Sequence, residues 1–184
     1  LETLGKEVWT QEEWQSWIGQ SARDAFPMVF GDDWERAKKI YLNAYKEIHL
    51  EQLTLKEGAS DLLEDLRKYP LFLAVVSNKT GSLLRAEVSH LEWNGLFSHL
   101  VGAGDSPRDK PAPDPVYTAL KAGEYEPGPE VWFIGDNDVD VTCGRAANCT
   151  TVLIGNEYPY AKPDYRIGHL RVLKRLIDVA LGRA

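Results

Sequence analysis

From about residue 59 to its end the chain alternates short, nearly continuous apolar runs with amphipathic stretches. The runs are "LFLAVV" (71–76), "FSHLVGA" (97–103), "VWFI" (131–134) and "TTVLIG" (150–155). Around them, "GSLLRAEVSHLEW", "DPVYTALKAG", "DVTCGRAAN" and "LRVLKRLIDVAL" carry apolar residues at helical spacing. Short strands this uniformly apolar, joined by helices, need a sheet whose two faces are both covered. The expected fold class is therefore α/β, a doubly wound parallel sheet. Ser60 is placed to cap a short helix carrying Leu62, Leu63 and Leu66. Asp114 is placed to cap another, with Pro115 at the first helical position, where a missing N–H costs nothing.

Up to about residue 54 no stretch reads as a strand. Thr10 and Glu13 make the T-x-x-E capping box, and Trp14, Trp17, Ile18 and Ala25 then recur at helical spacing. Asp32 or Asp33 can cap the next helix, whose one face carries Trp34, Ala37, Ile40, Tyr41, Ala44, Tyr45 and Ile48. The expected organisation is a small all-helical unit over residues 1–54, then an α/β domain over 55–184.

Composition excludes several classes. With 43% hydrophobic and 27% charged residues the chain is expected to fold. No apolar run approaches the ~20 residues of a membrane span, so no membrane association is expected. The acidic, polar start "LETLGKEVWTQEEW" shows no secretory signal. A net charge of −7 disfavours a nucleic-acid partner, though not a small anionic substrate, which senses only local charge. Cys143 and Cys149 do not have zinc-ligand spacing. They read as two buried, reduced thiols, which fits a cytoplasmic protein. The sequence leaves the oligomeric state open.

In a doubly wound sheet ligands sit at the carboxyl ends of the strands, so polar residues just after apolar runs are informative. Three groups qualify. Ser77, with Asn78 and Lys79, follows "LFLAVV" and can donate to an anion; a plain turn or helix cap would look the same. Lys110, in the stiff loop "SPRDKPAPDP", suits a fixed positive charge beside a phosphate; a solvated surface lysine is the bland alternative. Asp136 follows "VWFIG", a run read as buried, and Asp140 comes four residues later. If a helix begins near Val139, its first turn aims Asp140 back at the strand end. Two converging carboxylates suit Mg²⁺, a hard cation that takes oxygen ligands. An acid-rich helix N-terminus is the alternative, and Asp138 reads as solvated or as a cap.

Together, "SNK", "DKPAPDP" and "GDNDVD", in that order, resemble the haloacid dehalogenase-like hydrolase superfamily. The chain looks most like its phosphoglycolate phosphatase-type branch, with "KPAPDPVYTAL" and "VWFIGDNDVDVTCGRAANCTTVLIG" the most specific stretches. The resemblance covers about residues 55–170 and implies a Rossmann-like core with a helical cap. It implies that Ser77 binds phosphate, that Lys110 is the catalytic lysine, and that Asp136 and Asp140 are the metal-binding acids. "WIGQSA" is similar to a cap substrate loop, which makes Gly19, Gln20 and Arg23 candidate substrate contacts beside Asn78. The implied activity is Mg²⁺-dependent hydrolysis of a small phosphorylated metabolite, phosphoglycolate-like or a sugar phosphate. A phosphosugar mutase, a metal-free 2-haloacid dehalogenase and a catalytically inactive binding module share the fold.

One departure from the family pattern stands out. The family's first motif is an apolar strand ending in D-x-D, whose first aspartate attacks phosphorus and whose second moves protons. No such strand precedes the helical unit. "FIGDND" is not that strand displaced, because Lys110 lies upstream of it and a full fourth motif surrounds it. The expected place of the first-motif strand is between the strands of "LFLAVV" and "VWFIG". The expectation is that the natural protein carries it in roughly 15 to 30 residues before Leu1.

Overall fold

The computed structural model describes residues 9, 10, 12, 13, 17, 19–155 and 160–183. At the start, the Thr10 hydroxyl accepts from the Glu13 N–H at 3.3 Å, and the Glu13 carboxylate accepts from the Thr10 N–H at 2.7 Å. The capping box is thus formed. Trp14 and Ile18 of the expected stripe lie outside the described residues. Helix α1 (Ala22–Phe30) begins at Ser21, whose hydroxyl accepts from the Asp24 N–H. Helix α2 (Trp34–Ile48) follows across a single 3-10 turn at Gly31–Asp33. Asp32 and Asp33 therefore sit in that turn, and Asp33 makes no side-chain cap bond, contrary to expectation. The two helices form a hairpin with an aromatic ladder of Phe26, Tyr41, Tyr45 and His49 along it.

Helix α3 (Ala59–Leu66) opens the α/β part. Its N-cap is Gly58, in the left-handed conformation at φ 79°, not Ser60, which lies inside the helix. The order continues β1 (Ala74–Thr80), α4 (Gly81–His90), β2 (His99–Ala103), α5 (Asp114–Ala122), β3 (Trp132–Gly135), α6 (Asp138–Ala146) and β4 (Thr150–Ile154). A short β5 (Tyr165–Ile167) and α7 (Leu170–Ala180) end it. Asp114 is the first residue of α5, not its cap. Its carboxylate faces the Arg108 guanidinium instead, which holds its pKa below the usual carboxylate range.

All strand pairs are parallel. β1 pairs with β2, and β3–β4–β5 form a second group. Alternation along β3 sends Trp132 to one face and Phe133 to the other. On the first face Leu62 and Leu66 of α3 pack with Leu173 and Ile177 of α7 over Val152 and Ile167. On the second, Val116 and Leu120 of α5 pack with Cys143 of α6 and with Ala147 just after it. Helices on both faces make this a doubly wound sheet.

The sheet is split. Among the described residues, β1 and β3 each have one strand partner, so their inner edges are unpaired. The burial pattern follows the split. Thr151, Val152 and Leu153 of β4 are fully buried, whereas every residue of β1 is only half-buried and Ile134 of β3 is 38% exposed. "VWFI" is therefore not the buried strand expected, because its inner side is uncovered. The break lies between β1 and β3.

Candidate functional site

The carboxyl ends of β1 and β3 and the start of the helical hairpin enclose a cavity of about 350 Å³. Ser77, Asn78, Lys79, Lys110, Asp136, Asn137 and Asp140 line its floor. Gly19, Gln20, Ala22, Tyr41 and Tyr45 line its roof. Seven of the eight candidate residues from the sequence thus meet in one place. Arg23 does not line it.

β1 is longer than "LFLAVV" suggests, and Ser77, Asn78 and Lys79 lie within it, not after it. They occupy an irregular stretch, where pairing with β2 shifts register between Val76 and Thr80. The bulge brings the Ser77 hydroxyl to the Lys79 N–H at 3.1 Å and leaves Ser77 at the cavity floor.

Asn78 is a connector. Its amide nitrogen donates to the Gly19 carbonyl (2.7 Å) and the Lys110 carbonyl (2.8 Å), and its oxygen accepts from the Lys110 N–H (3.0 Å). One side chain thus joins the hairpin's start and the Lys110 loop to β1. These bonds hold the amide in place at the cavity floor.

Lys110 reaches inward. Its ammonium donates to Asp140 Oδ1 at 2.7 Å and to the Val76 carbonyl at 3.2 Å. It therefore spans the break between the strand groups. Asp140 in turn accepts at Oδ2 from the N–H groups of Asp136 (3.1 Å) and Asn137 (3.2 Å). Asn137 caps α6, accepting from Val139 and Asp140, so Asn137 and Asp140 form a reciprocal capping box. The helix starts at Asp138, one residue before the expected Val139. Asp138 is neither free in solvent nor the cap; it accepts from the N–H groups of Tyr160 and Ala161.

Gly135 makes this geometry possible. A Cβ there would stand 2.3 Å from Cβ and Cγ of Asp140, so only glycine lets that carboxylate fold back on the strand end.

Asp136 differs from Asp140. It is half-exposed, and its Oδ2 pairs with Lys56 at 2.9 Å. Among the described residues no group of three or more His, Cys, Asp or Glu forms a metal cluster. The two carboxylates still suit a hard cation that takes one or two acidic ligands and fills its shell with water and substrate oxygens. Asp136 has the accessible oxygens. Asp140 accepts three hydrogen bonds, from the Lys110 ammonium and the N–H groups of Asp136 and Asn137.

Lys79, which the sequence sets beside Ser77 and Asn78, also lines the cavity, and Glu87 and His49, which no motif marks, stand behind it. Lys79 donates to Glu87, whose Oε1 accepts from His49 Nδ1 at 2.8 Å, and the Lys79 ammonium lies 5.5 Å from the Tyr45 ring centre. Burial pulls the Lys79 pKa down, but hydrogen bonds to Glu87 and Tyr45 outweigh it and hold it above the ordinary lysine value. Lys79 stays charged at the cavity wall. Both cysteines are buried free thiols, and burial pushes the Cys143 pKa up to about 12.

This architecture is that of a known class. The family model for haloacid dehalogenase-like hydrolases matches residues 1–154, and the chain belongs to that family. Within it the chain falls on the phosphatase side. A phosphoglycolate phosphatase of Chromobacterium violaceum is 30% identical over 128 residues, covering 70% of this chain and 57% of that protein. One from Aquifex aeolicus is 27% identical, covering 97% of this chain and 85% of that protein. Among solved structures, a HAD-superfamily hydrolase from Ehrlichia chaffeensis superposes with a TM-score of 0.65 at 27% identity, over 98% of this chain and 84% of that one. A haloacid dehalogenase-like protein from Streptococcus pneumoniae (TM-score 0.78, 23% identity, 95% and 85% covered) shares the fold.

Proposed function

We propose that the protein is a Mg²⁺-dependent phosphatase that hydrolyses a small phosphate monoester, phosphoglycolate-like or a sugar phosphate. The observation that carries this reading is the convergence of Ser77, Lys110 and Asp136 on one cavity at the carboxyl ends of β1 and β3. The relatives named phosphoglycolate phosphatase support the substrate class.

In this reading an aspartate on a strand between β1 and β3 attacks phosphorus, and the ester oxygen departs with a proton from a second acid of that strand. Water then attacks the aspartyl-phosphate, which breaks the aspartyl–phosphorus bond and releases inorganic phosphate. Lys110 and Ser77 offset the charge on the phosphoryl oxygens, and such fixed positioning is the main contribution in phosphoryl transfer. Asp136 would hold Mg²⁺, which when bound neutralises charge on the phosphoryl group. Asp140 fixes Lys110 and the Asp136 backbone in place. The helical hairpin acts as the cap, with Gly19 and Gln20 facing the substrate and excluding water. Free buried thiols fit a reducing, cytoplasmic setting, and no described helix is long and apolar enough to cross a membrane.

The test is hydrolysis of p-nitrophenyl phosphate by the full-length protein with and without Mg²⁺. Activity should require the metal, and Asp136→Asn should abolish it. Metal-independent hydrolysis, or full activity in the variant, refutes the assignment.

A further inference from the structure

Arg23, a candidate substrate contact from the sequence, is not among the residues lining the cavity, and its guanidinium is engaged elsewhere. Nη2 lies 2.8 Å from Asp109 Oδ1, and Nη1 donates to the Ser106 carbonyl at 3.3 Å. Both partners belong to the loop between β2 and α5 that carries Lys110. A single side chain of the hairpin thus clasps that loop at two points, one of them the residue next to Lys110.

The carboxylate it meets is unusual. The Asp109 side chain is 1% exposed, while that of Arg23 is 31% exposed. Asp109 Oδ1 also accepts from the Gly104 N–H at 3.0 Å, and among the described residues its buried Oδ2 has no hydrogen-bond partner. A carboxylate so deep needs a counter-charge, since a lone buried ion is strongly destabilising. Arg23 is the only cation paired with it among the described residues. If the hairpin lifts, Asp109 remains buried without compensation, and the loop must rearrange to reach water.

We propose that Arg23 and Asp109 form a latch that couples seating of the helical hairpin to placement of Lys110. Arg23 is a positioning residue: it acts on the lysine through the loop. Asn78 of β1 also donates to both the Gly19 and Lys110 carbonyls, so hairpin and loop share a second anchor on the sheet. Seating the hairpin sets the cation before substrate chemistry begins, and lifting it releases the cation.

Trace acetylation by acetic anhydride, followed lysine by lysine in peptide mass spectra of the folded protein, reads this directly. It needs no catalytic activity, so it stands apart from the test of the phosphatase reading. Lys110, nearly buried, should react slowly in the wild type. In Arg23→Met its rate should rise about tenfold, as expected for loss of one partner of a largely buried pair. Lys174 on α7, remote from the latch, should be unchanged. Arg23→Lys should restore most of the protection. In an Asp109→Asn background, which removes the charge to be compensated, Arg23→Met should add little, giving strong non-additivity in the double-mutant cycle. An unchanged Lys110 rate in Arg23→Met, additive effects of the two changes, or equal increases at Lys110 and Lys174 would each overturn the latch. Should Arg23→Met fail to fold, Asp109→Asn alone, which removes the anion of the latch, should also quicken acetylation of Lys110, and an unchanged rate there would overturn the latch.

Discussion

Lys110 Nζ and Asp140 Oδ1 stand 2.7 Å apart, both side chains almost wholly buried, and the pair joins the Lys110 loop to the first turn of α6. A buried ion pair adds little over an apolar pair, but breaking it leaves one charge stranded. Lys110→Met and Asp140→Asn should each destabilise the fold, by about 3 kcal/mol for the lysine change and less for the isosteric amide. The double variant should cost clearly less than the sum. Guanidinium unfolding of the three variants checks this, and strict additivity would show that the two groups do not interact.

Asp136 shares its carboxylate with Lys56 at the surface. Exposed pairs contribute little, so Lys56→Ala should move stability by less than about 0.5 kcal/mol. Removing a competing cation should tighten Mg²⁺ binding several-fold, as measured by titration calorimetry. Unchanged Mg²⁺ affinity would argue against Asp136 as a ligand.

The strand-and-helix order could be read from the sequence because apolar runs and helical stripes survive tertiary packing. Other features could not. β1 extends through Ser77–Thr80 because Thr80 pairs with Ala103 of β2 beyond a register shift, a long-range effect with no local signature. β5 is three residues, two of them exposed, so no apolar run marks it. Ser60 was misread as a cap because Gly58 starts the helix two residues earlier. Lys110 and Asp140 were identified singly, but their ion pair bridges 30 residues and needed coordinates. Nothing local in the sequence points Arg23 to Asp109. The Asn137 cap, by contrast, is legible: N-D-V-D has a capping-box pattern, in keeping with the alternative of an acid-rich helix N-terminus.

The Cys143 thiol is wholly buried beside the Ala112 carbonyl, with its pKa pushed up to about 12 by burial. A raised folded-state pKa means that the unfolded chain loses its proton first, near pH 8.5. Stability from this group is complete below that pH and falls as pH rises toward 12, by about 1.4 kcal/mol per unit. Cys143→Ala should therefore lose stability less steeply than wild type between about pH 9 and pH 11. Equal slopes in urea unfolding would show that the thiol is not protected. At neutral pH the wild-type thiol should resist dithiobis-nitrobenzoate until the protein is unfolded.

Gly135 joins the sheet to the site. The Asp140 carboxylate lies where a Cβ of residue 135 would stand, 2.3 Å from its Cβ and Cγ. In Gly135→Ala either the strand end or the start of α6 must move. Asp140 Oδ2 then separates from the N–H groups of Asp136 and Asn137, and Oδ1 from Lys110. The expected cost is about 2 to 4 kcal/mol, from overpacking together with stranded polar groups. Because the displaced carboxylate anchors Lys110, acetylation of Lys110 should also quicken, which a packing defect elsewhere in the core would not cause. Asp140→Gly in the Gly135→Ala background relieves the clash, so it should recover stability without recovering Lys110 protection. A Gly135→Ala protein with wild-type stability would mean that Asp140 does not fold back against the strand.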